Sequence, residues 1–180
     1  CSESMTGLYS IITTIQPPTA AVHTLLDRLR PLAAPLIVAG DRKGPVRFEA
    51  EGAIFLDLQA QLASPFELAR LGPVGHYTRK NIAYLEAIRR GATCLYETDD
   101  DNAPLTSWSL REEHVEAHRI DATGWVNAYR CFSDQRIWPR GLPLDSVVAS
   151  MHAPVPMAAQ AESVRAPIQQ GLANGSPDVD

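Results

Sequence analysis

The sequence predicts an α/β fold: a mostly parallel central sheet with helices on both faces. Three observations carry that reading. Apolar, β-branched runs of strand length occur without polar alternation, as strands buried on both faces require. Amphipathic stretches of helical period separate them. A length of 180 residues fits one ordinary domain, able to bury roughly 70% of its unfolded surface around a single core.

The first run, residues 8–15, reads Leu-Tyr-Ser-Ile-Ile-Thr-Thr-Ile and fits a buried strand. Thr19 is the expected N-cap of the next helix. There Val22, Leu25, Leu26 and Leu29 share one face, Asp27, Arg28 and Arg30 the other, and Pro31 ends the pattern. Residues 35–41 form a second buried strand closed by Asp41, which completes a β-α-β unit. A third strand is expected at 53–58, then a loop and short helix through 65–71. The spacing predicts a long helix between His76 and Arg90, with Ile82, Leu85 and Ile88 toward the core and Gly91 as its left-handed cap. Residues 93–96 make a fourth buried strand, in which Cys94 reads as a buried free thiol. Beyond Asn102 the pattern weakens. Residues 114–120 fit strand or helix, 125–132 fit a strand, and from Val147 the Ala-, Pro- and Gln-rich tail reads as an extended excursion.

Composition excludes several classes. The formal net charge of −5 argues against broad attraction to nucleic-acid phosphates. The longest apolar run, 33–40, is far short of the 18 or so residues of a membrane span. Cys1, Cys94 and Cys131 match no disulfide framework and no Cys-x-x-Cys metal site. No glycine-rich dinucleotide fingerprint, phosphate loop or Gly-x-Ser-x-Gly elbow is present.

The feature richest in chemistry is Tyr96-Glu97-Thr98-Asp99-Asp100-Asp101-Asn102, an acidic cluster at the carboxyl end of the fourth strand. In open α/β sheets ligands bind outside those ends. Side chains two apart on an extended chain share a face, so Asp99 and Asp101, with backbones roughly 6.6 Å apart, could engage one cation. All-oxygen ligands favour Mg²⁺, Mn²⁺ or Ca²⁺. The competing reading is a solvated turn whose Asp or Asn side chains bond their own backbone. Ala103 and the missing Gly exclude an EF-hand. An aspartyl phosphatase also places Asp-x-Asp after a strand, though usually after its first.

A second constellation lies at the ends of the earlier strands. Thr13, Thr14, Gln16 and Thr19 surround Pro17-Pro18, and Asp41 stands where a ribose hydroxyl is often bound. Arg79 and Lys80, near the start of the long helix, could neutralise a diphosphate, or could simply lie on a solvated face. His114 and His118 are four apart but lack a third zinc ligand. The Pro-rich run 138–145 ends in Asp145, a weak candidate base. Asn174-Gly175-Ser176 is formally a glycosylation sequon, weakened by Pro177.

Taken together, five motifs in order, at 12–19 (Ile-Thr-Thr-Ile-Gln-Pro-Pro-Thr), 38–43 (Val-Ala-Gly-Asp-Arg-Lys), 77–85 (Tyr-Thr-Arg-Lys-Asn-Ile-Ala-Tyr-Leu), 98–102 (Thr-Asp-Asp-Asp-Asn) and 138–144 (Trp-Pro-Arg-Gly-Leu-Pro-Leu), resemble the STELLO-type glycosyltransferase family. The resemblance implies a GT-A, nucleotide-diphospho-sugar transferase fold, with Asp99 and Asp101 in the place of the metal-binding Asp-x-Asp motif for Mn²⁺ or Mg²⁺. It implies one domain over 1–180, with a nucleotide-binding part at 8–102 and the start of an acceptor part at 103–180. Residues 167–172 and 177–180 also look like the family pattern, which runs on past them, so the resemblance implies a C-terminally incomplete domain. Thr13, Gln16 and Asp41 would hold base and ribose, Asp99 would also meet the nucleotide, and Arg79 or Lys80 the phosphates of a UDP-sugar donor, with a glycan or other acceptor. A glycosyltransferase-like binding module without activity is the alternative. Plant members of the family are Golgi membrane proteins involved in cellulose synthesis, which would place such a domain in the Golgi lumen.

Overall fold

Four runs of the first unit, Cys1–Trp108, form strands: β1 (Leu8–Thr14), β2 (Leu36–Gly40), β3 (Ala53–Leu56) and β4 (Cys94–Glu97). The computed structural model describes residues 7–139 and 141–171. The strands pair in parallel in the order β3-β2-β1-β4, with Ile12 opposite Val38 and Val38 opposite Phe55. Neighbours along a strand point to opposite faces. Ile11, Ile12, Leu36, Ile37, Val38 and Ala39 are all fully buried, so both faces are covered. From β1 to β2 the chain crosses the sheet one way, and from β3 to β4 the other. Right-handed crossovers then put α1 (Ala20–Leu29) and α4 (Lys80–Arg89) on opposite faces. The α/β class with a parallel sheet flanked by helices is as the sequence predicts, and it is consistent with a GT-A-like fold.

Local chemistry sets the element ends. Thr19 Oγ1 accepts from the Val22 amide at 3.2 Å and starts α1, whose buried face is Val22, Leu25, Leu26 and Leu29 as expected. The third strand is shorter than its apolar run. Asp57 ends it by capping α2 (Leu58–Ala63), accepting from the Ala60 amide at 2.6 Å. The buried amide of Gln61, on that helix, donates to Gly40 O and Leu56 O at 2.7 Å each and ties the ends of β2 and β3. A further short helix, α3 (Leu68–Leu71), follows.

Three expectations in this unit need correction. The long helix begins at Lys80, after a 3-10 turn over Tyr77–Arg79. Its buried face is Ile82, Ala83, Glu86 and Ala87, while Ile88 is 58% exposed, because a stripe at i, i+1, i+4 and i+5 follows the 3.6-residue period and a strict three-residue step drifts off it. Ala83 and Ala87 pack on Ile11, Ile37 and Ala39. Gly91 does adopt the left-handed conformation, with φ +92°. The fourth strand is an exposed edge and not a buried strand, so the Cys94 thiol is exposed. Among the described residues only β1 borders it, and α4 lies over β1 and β2.

The second unit, Ser109–Asp180, is built on an antiparallel ribbon of β5 (His114–Ile120) and β6 (Met157–Arg165), with α5 (Leu144–Ser150) between them in sequence. Residues 125–132 are not a strand. The buried Asn127 side chain accepts from the Tyr129 amide and donates to Ile137 O, both at 3.1 Å, which winds Ala128–Cys131 into a 3-10 turn. The tail from Val147 is no excursion, since β6 pairs along β5. Cys1, Arg140, the sequon and the motif at 177–180 lie outside the described residues.

Two outcomes follow for stability. A Cβ on Gly40 would sit 2.8 Å from the ring of Phe55, itself stacked on Phe48 at 5.6 Å, so Gly40→Ala should cost about 1–3 kcal/mol in urea unfolding. Glu86, with its side chain 8% exposed, accepts from Arg89 Nε at 2.8 Å, Arg89 Nη2 at 2.7 Å and Arg90 Nε at 2.7 Å. The bonds from Arg89 hold its carboxyl below the usual pKa against the effect of burial, and those from Arg90 add to this. Stability from Glu86 is therefore complete above the ordinary Glu pKa of about 4.3 and is lost as pH falls through the lower folded value. Glu86→Gln should show a lower urea midpoint than the parent near neutral pH, and the two midpoints should converge in strong acid.

Candidate functional site

Strands β1 and β4 are neighbours in the sheet, and in open α/β sheets ligands bind outside the carboxyl ends of the strands. The carboxyl ends of both strands carry the residues that the sequence singles out. Ser10 Oγ donates to Tyr96 O at 3.1 Å and the Thr98 amide to Ile11 O at 3.2 Å, so the acidic segment is fastened to β1.

Beyond Glu97 the chain turns. The Asn102 amide donates to Asp99 O at 3.3 Å, closing residues 99–102, so Asp99 and Asp101 do not lie on one face of an extended strand. The turn sends three neighbouring carboxylates to three surroundings. Asp99 Oδ1 meets the Lys80 ammonium at 2.9 Å. Asp100 Oδ2 accepts from the Thr14 hydroxyl and, at 3.4 Å, from Gln16 Nε2, while Thr19 Oγ1 donates to its carbonyl. Asp101 is exposed, and its side chain has no hydrogen bond or ion pair among the described residues.

Lys80 is the centre of this arrangement. Its side chain is 8% exposed, and Nζ also bonds Glu97 Oε1 at 3.0 Å and Thr98 O at 3.3 Å. Burial works against the charge. Hydrogen bonds and charge from Asp99 and Glu97 outweigh it and hold the lysine above its usual pKa. Burial also opposes ionisation of Glu97, and hydrogen bonds from Tyr84 and Lys80 overcome that and keep its carboxyl below the ordinary value. Burial pushes the Tyr84 phenol up, and its hydrogen bond to Glu97 adds to the shift.

The other candidates are placed differently. Thr13 is half-buried in β1 opposite Ala39, and its neighbour Thr14 is the one that reaches the acidic turn. Both oxygens of Asp41 receive main-chain amides, from Arg42 at 2.6 Å, Gly75 at 2.8 Å and His76 at 3.1 Å, which ties the loop after β2 to the approach to α4. Arg79 is 1% exposed and turned inward, with Nη1 donating to Ala69 O at 2.8 Å and Gly72 O at 3.3 Å at the end of α3. A guanidinium so enclosed does not face a ligand's phosphates. Asp145 lies exposed in the first turn of α5, in the second unit. His114 and His118 stand on a strand and not a helix, and His118 Nδ1 is 2.9 Å from Ala158 O. Sequence reasoning named Thr14 only as one of the residues around Pro17-Pro18, and it missed Tyr84 and the role of Asp100. The alternation of β1 sets Thr14 apart from Thr13.

No group of three or more His, Cys, Asp or Glu side chains among the described residues could hold a metal by itself. The donors still suit a hard cation. Asp99 and Asp101 offer carboxylate oxygens, the donor type that Mg²⁺ prefers, and Mg²⁺ is commonly bound by one or two carboxylates plus substrate phosphates and water.

Two curated plant proteins, described as probable glycosyltransferases STELLO2 and STELLO1 of Arabidopsis thaliana, are each 30% identical to this chain in an alignment of 159 positions that covers 81% of it. The resemblance to STELLO-type sequences thus holds over most of this chain. It spans about 20% of the length of either relative. No family model matches the sequence. On the structure, the STELLO-type motif at 12–19 runs from β1 to the cap of α1, that at 38–43 leaves β2, that at 77–85 enters α4 and that at 98–102 is the acidic turn. The fifth, at 138–144, precedes and begins α5 in the second unit. Among the described residues no helix is long and apolar enough to cross a membrane.

Removing the Lys80 ammonium leaves Glu97 and Asp99 unbalanced. For a fully buried pair that costs about 3–5 kcal/mol, but these carboxylates are 53% and 43% exposed and water screens them, so Lys80→Met should destabilise by about 1–2 kcal/mol in urea unfolding.

Proposed function

We propose that this chain carries the nucleotide-sugar part of a metal-dependent glycosyltransferase that takes a UDP-sugar, with Asp99 and Asp101 as carboxylate ligands for Mn²⁺ or Mg²⁺. The observation that carries the reading is the acidic turn at the carboxyl end of β4, bonded through Asp100 to Thr14 and Gln16 at the carboxyl end of β1. The names of the two relatives support the transferase class. A divalent cation bound there would offset the negative charge that develops as a nucleoside diphosphate departs.

In this reading Lys80 fixes the orientation of Asp99 through Oδ1. Thr13 and the exposed amide of Gln16 are the candidates for base and ribose. Asp41 contributes by holding the loop after β2, and Arg79 by holding the end of α3. The acceptor is a glycan or another hydroxyl-bearing molecule.

A second reading, a glycosyltransferase-like module that binds nucleotide without metal or transfer, is favoured by the ammonium that already neutralises Asp99. Calorimetric titration separates the two. The chain should bind UDP in the presence of Mn²⁺, and an Asp99→Asn, Asp101→Asn double variant should lose at least about tenfold in affinity, the equivalent of some 1.4 kcal/mol. Equal affinity in both proteins would sink the metal-bridged reading, and UDP binding indifferent to Mn²⁺ would favour the metal-free module.

A further inference from the structure

The second unit holds a cleft of about 400 Å³ between residues 121–127 and residues 150–156, a volume within the range of small-molecule sites. Its polar and apolar groups are sorted. The floor is stiffened from within: Asn127 is committed to Tyr129 and Ile137, and Ser150 Oγ donates to Val147 O at 2.8 Å. The rim is open. Trp125 lines the cleft with 64% of its surface exposed, a large flat apolar plane left facing solvent. Beside it stand Thr123, with its hydroxyl, and Asp121, whose Oδ1 takes Arg119 Nε at 2.8 Å and whose other oxygen has no partner among the described residues.

The chemistry of the lining selects a class of ligand. No Lys, Arg or His lines the cleft and one carboxylate does, which disfavours phosphates, nucleotides and acidic peptides. A purely apolar molecule would make no use of the Thr123 hydroxyl or of the Asp121 oxygen that Arg119 leaves unpaired. A pyranose ring has what the cleft lacks: a C–H face to lie on an indole and a hydroxyl edge to donate to a carboxylate, as a charge-assisted hydrogen bond. We propose that this cleft binds a neutral saccharide ring stacked on Trp125 and hydrogen-bonded to Asp121 and Thr123. The choice of a sugar over other neutral polar rings rests on the glycosyltransferase reading, for which this would be an acceptor subsite.

Gly124 provides a clean block. Gly124 lines the cleft, and a Cβ built there meets no atom within 4 Å other than those of its chain neighbours, so a larger side chain adds bulk at the cleft without a clash at Cβ. The whole chain is titrated with methyl glycosides of glucose, galactose, mannose and N-acetylglucosamine, followed by saturation-transfer NMR. At least one glycoside should bind saturably, Trp125→Ala should weaken it about tenfold or more, and Gly124→Phe should abolish it. Binding by none of them, binding unchanged in both variants, or displacement of the glycoside by UDP would overturn the proposal. The Asp99→Asn, Asp101→Asn protein keeps the two readings apart. Retained glycoside binding with no UDP binding in the parent would defeat the donor reading alone, and UDP binding with no glycoside binding would defeat this one alone.

Discussion

Four carboxylates within five residues, Glu97, Asp99, Asp100 and Asp101, sit at the end of one strand, and their mutual repulsion is the constraint that the neighbouring elements must meet. Two unit charges 4 Å apart interact by about 4 kcal/mol at the effective dielectric of a protein surface. Left on an extended chain, Asp99 and Asp101 would face each other. The turn over 99–102 takes them off that shared face, and a buried ammonium from the start of α4 takes Glu97 and Asp99 together. The cost of enclosing that ammonium is offset by two carboxylate partners, Glu97 at 3.0 Å and Asp99 at 2.9 Å.

The scaffold makes this possible because its order is fixed elsewhere. Ile11, Ile37 and Ala39 pack against Ala83 and Ala87, which sets the position of α4 over β1 and β2. Lys80 begins that helix and so is placed by the core and not by the loop that it neutralises. A group held by a packed helix keeps its geometry better than one on a loop, and here the loop is positioned by the helix.

How much of this was legible in the sequence depends on how local each feature is. Strands β1 and β2 and helix α1 were legible because a buried strand announces itself by composition and Thr19 and Pro31 mark the helix ends. Helix α2 was hidden because Asp57, its cap, continues directly from an apolar run. Whether β4 is central or marginal depends on which strands flank it, a non-local fact, and Cys94 was misjudged with it. The pairing of β6 with β5 is equally non-local: its small and polar residues are mostly exposed and carry no apolar alternation. The acidic cluster was legible as a cluster. Which carboxylate meets which partner was not, since that turns on one hydrogen bond from Asn102. Arg79 was misread for a physical reason, because charged residues are almost never fully buried unless paired, and this one is buried on carbonyls.

Lys80 breaks a local rule in a way that bears on function. A cation on the first residue of a helix opposes the macrodipole, which favours anions there. A lysine on the solvent side would avoid the penalty, yet this one is buried at the helix start with the positive end of α4 behind it. The two positive sources reinforce each other, and the corner they make draws in anions, met in this structure by Glu97 and Asp99. Departures from local preference that are compensated by a specific partner tend to mark functional positions. The same corner holds two carboxylates in place beside the carboxyl ends of β1 and β4, so the electrostatics that stabilise the acidic turn also lower the negative charge presented there.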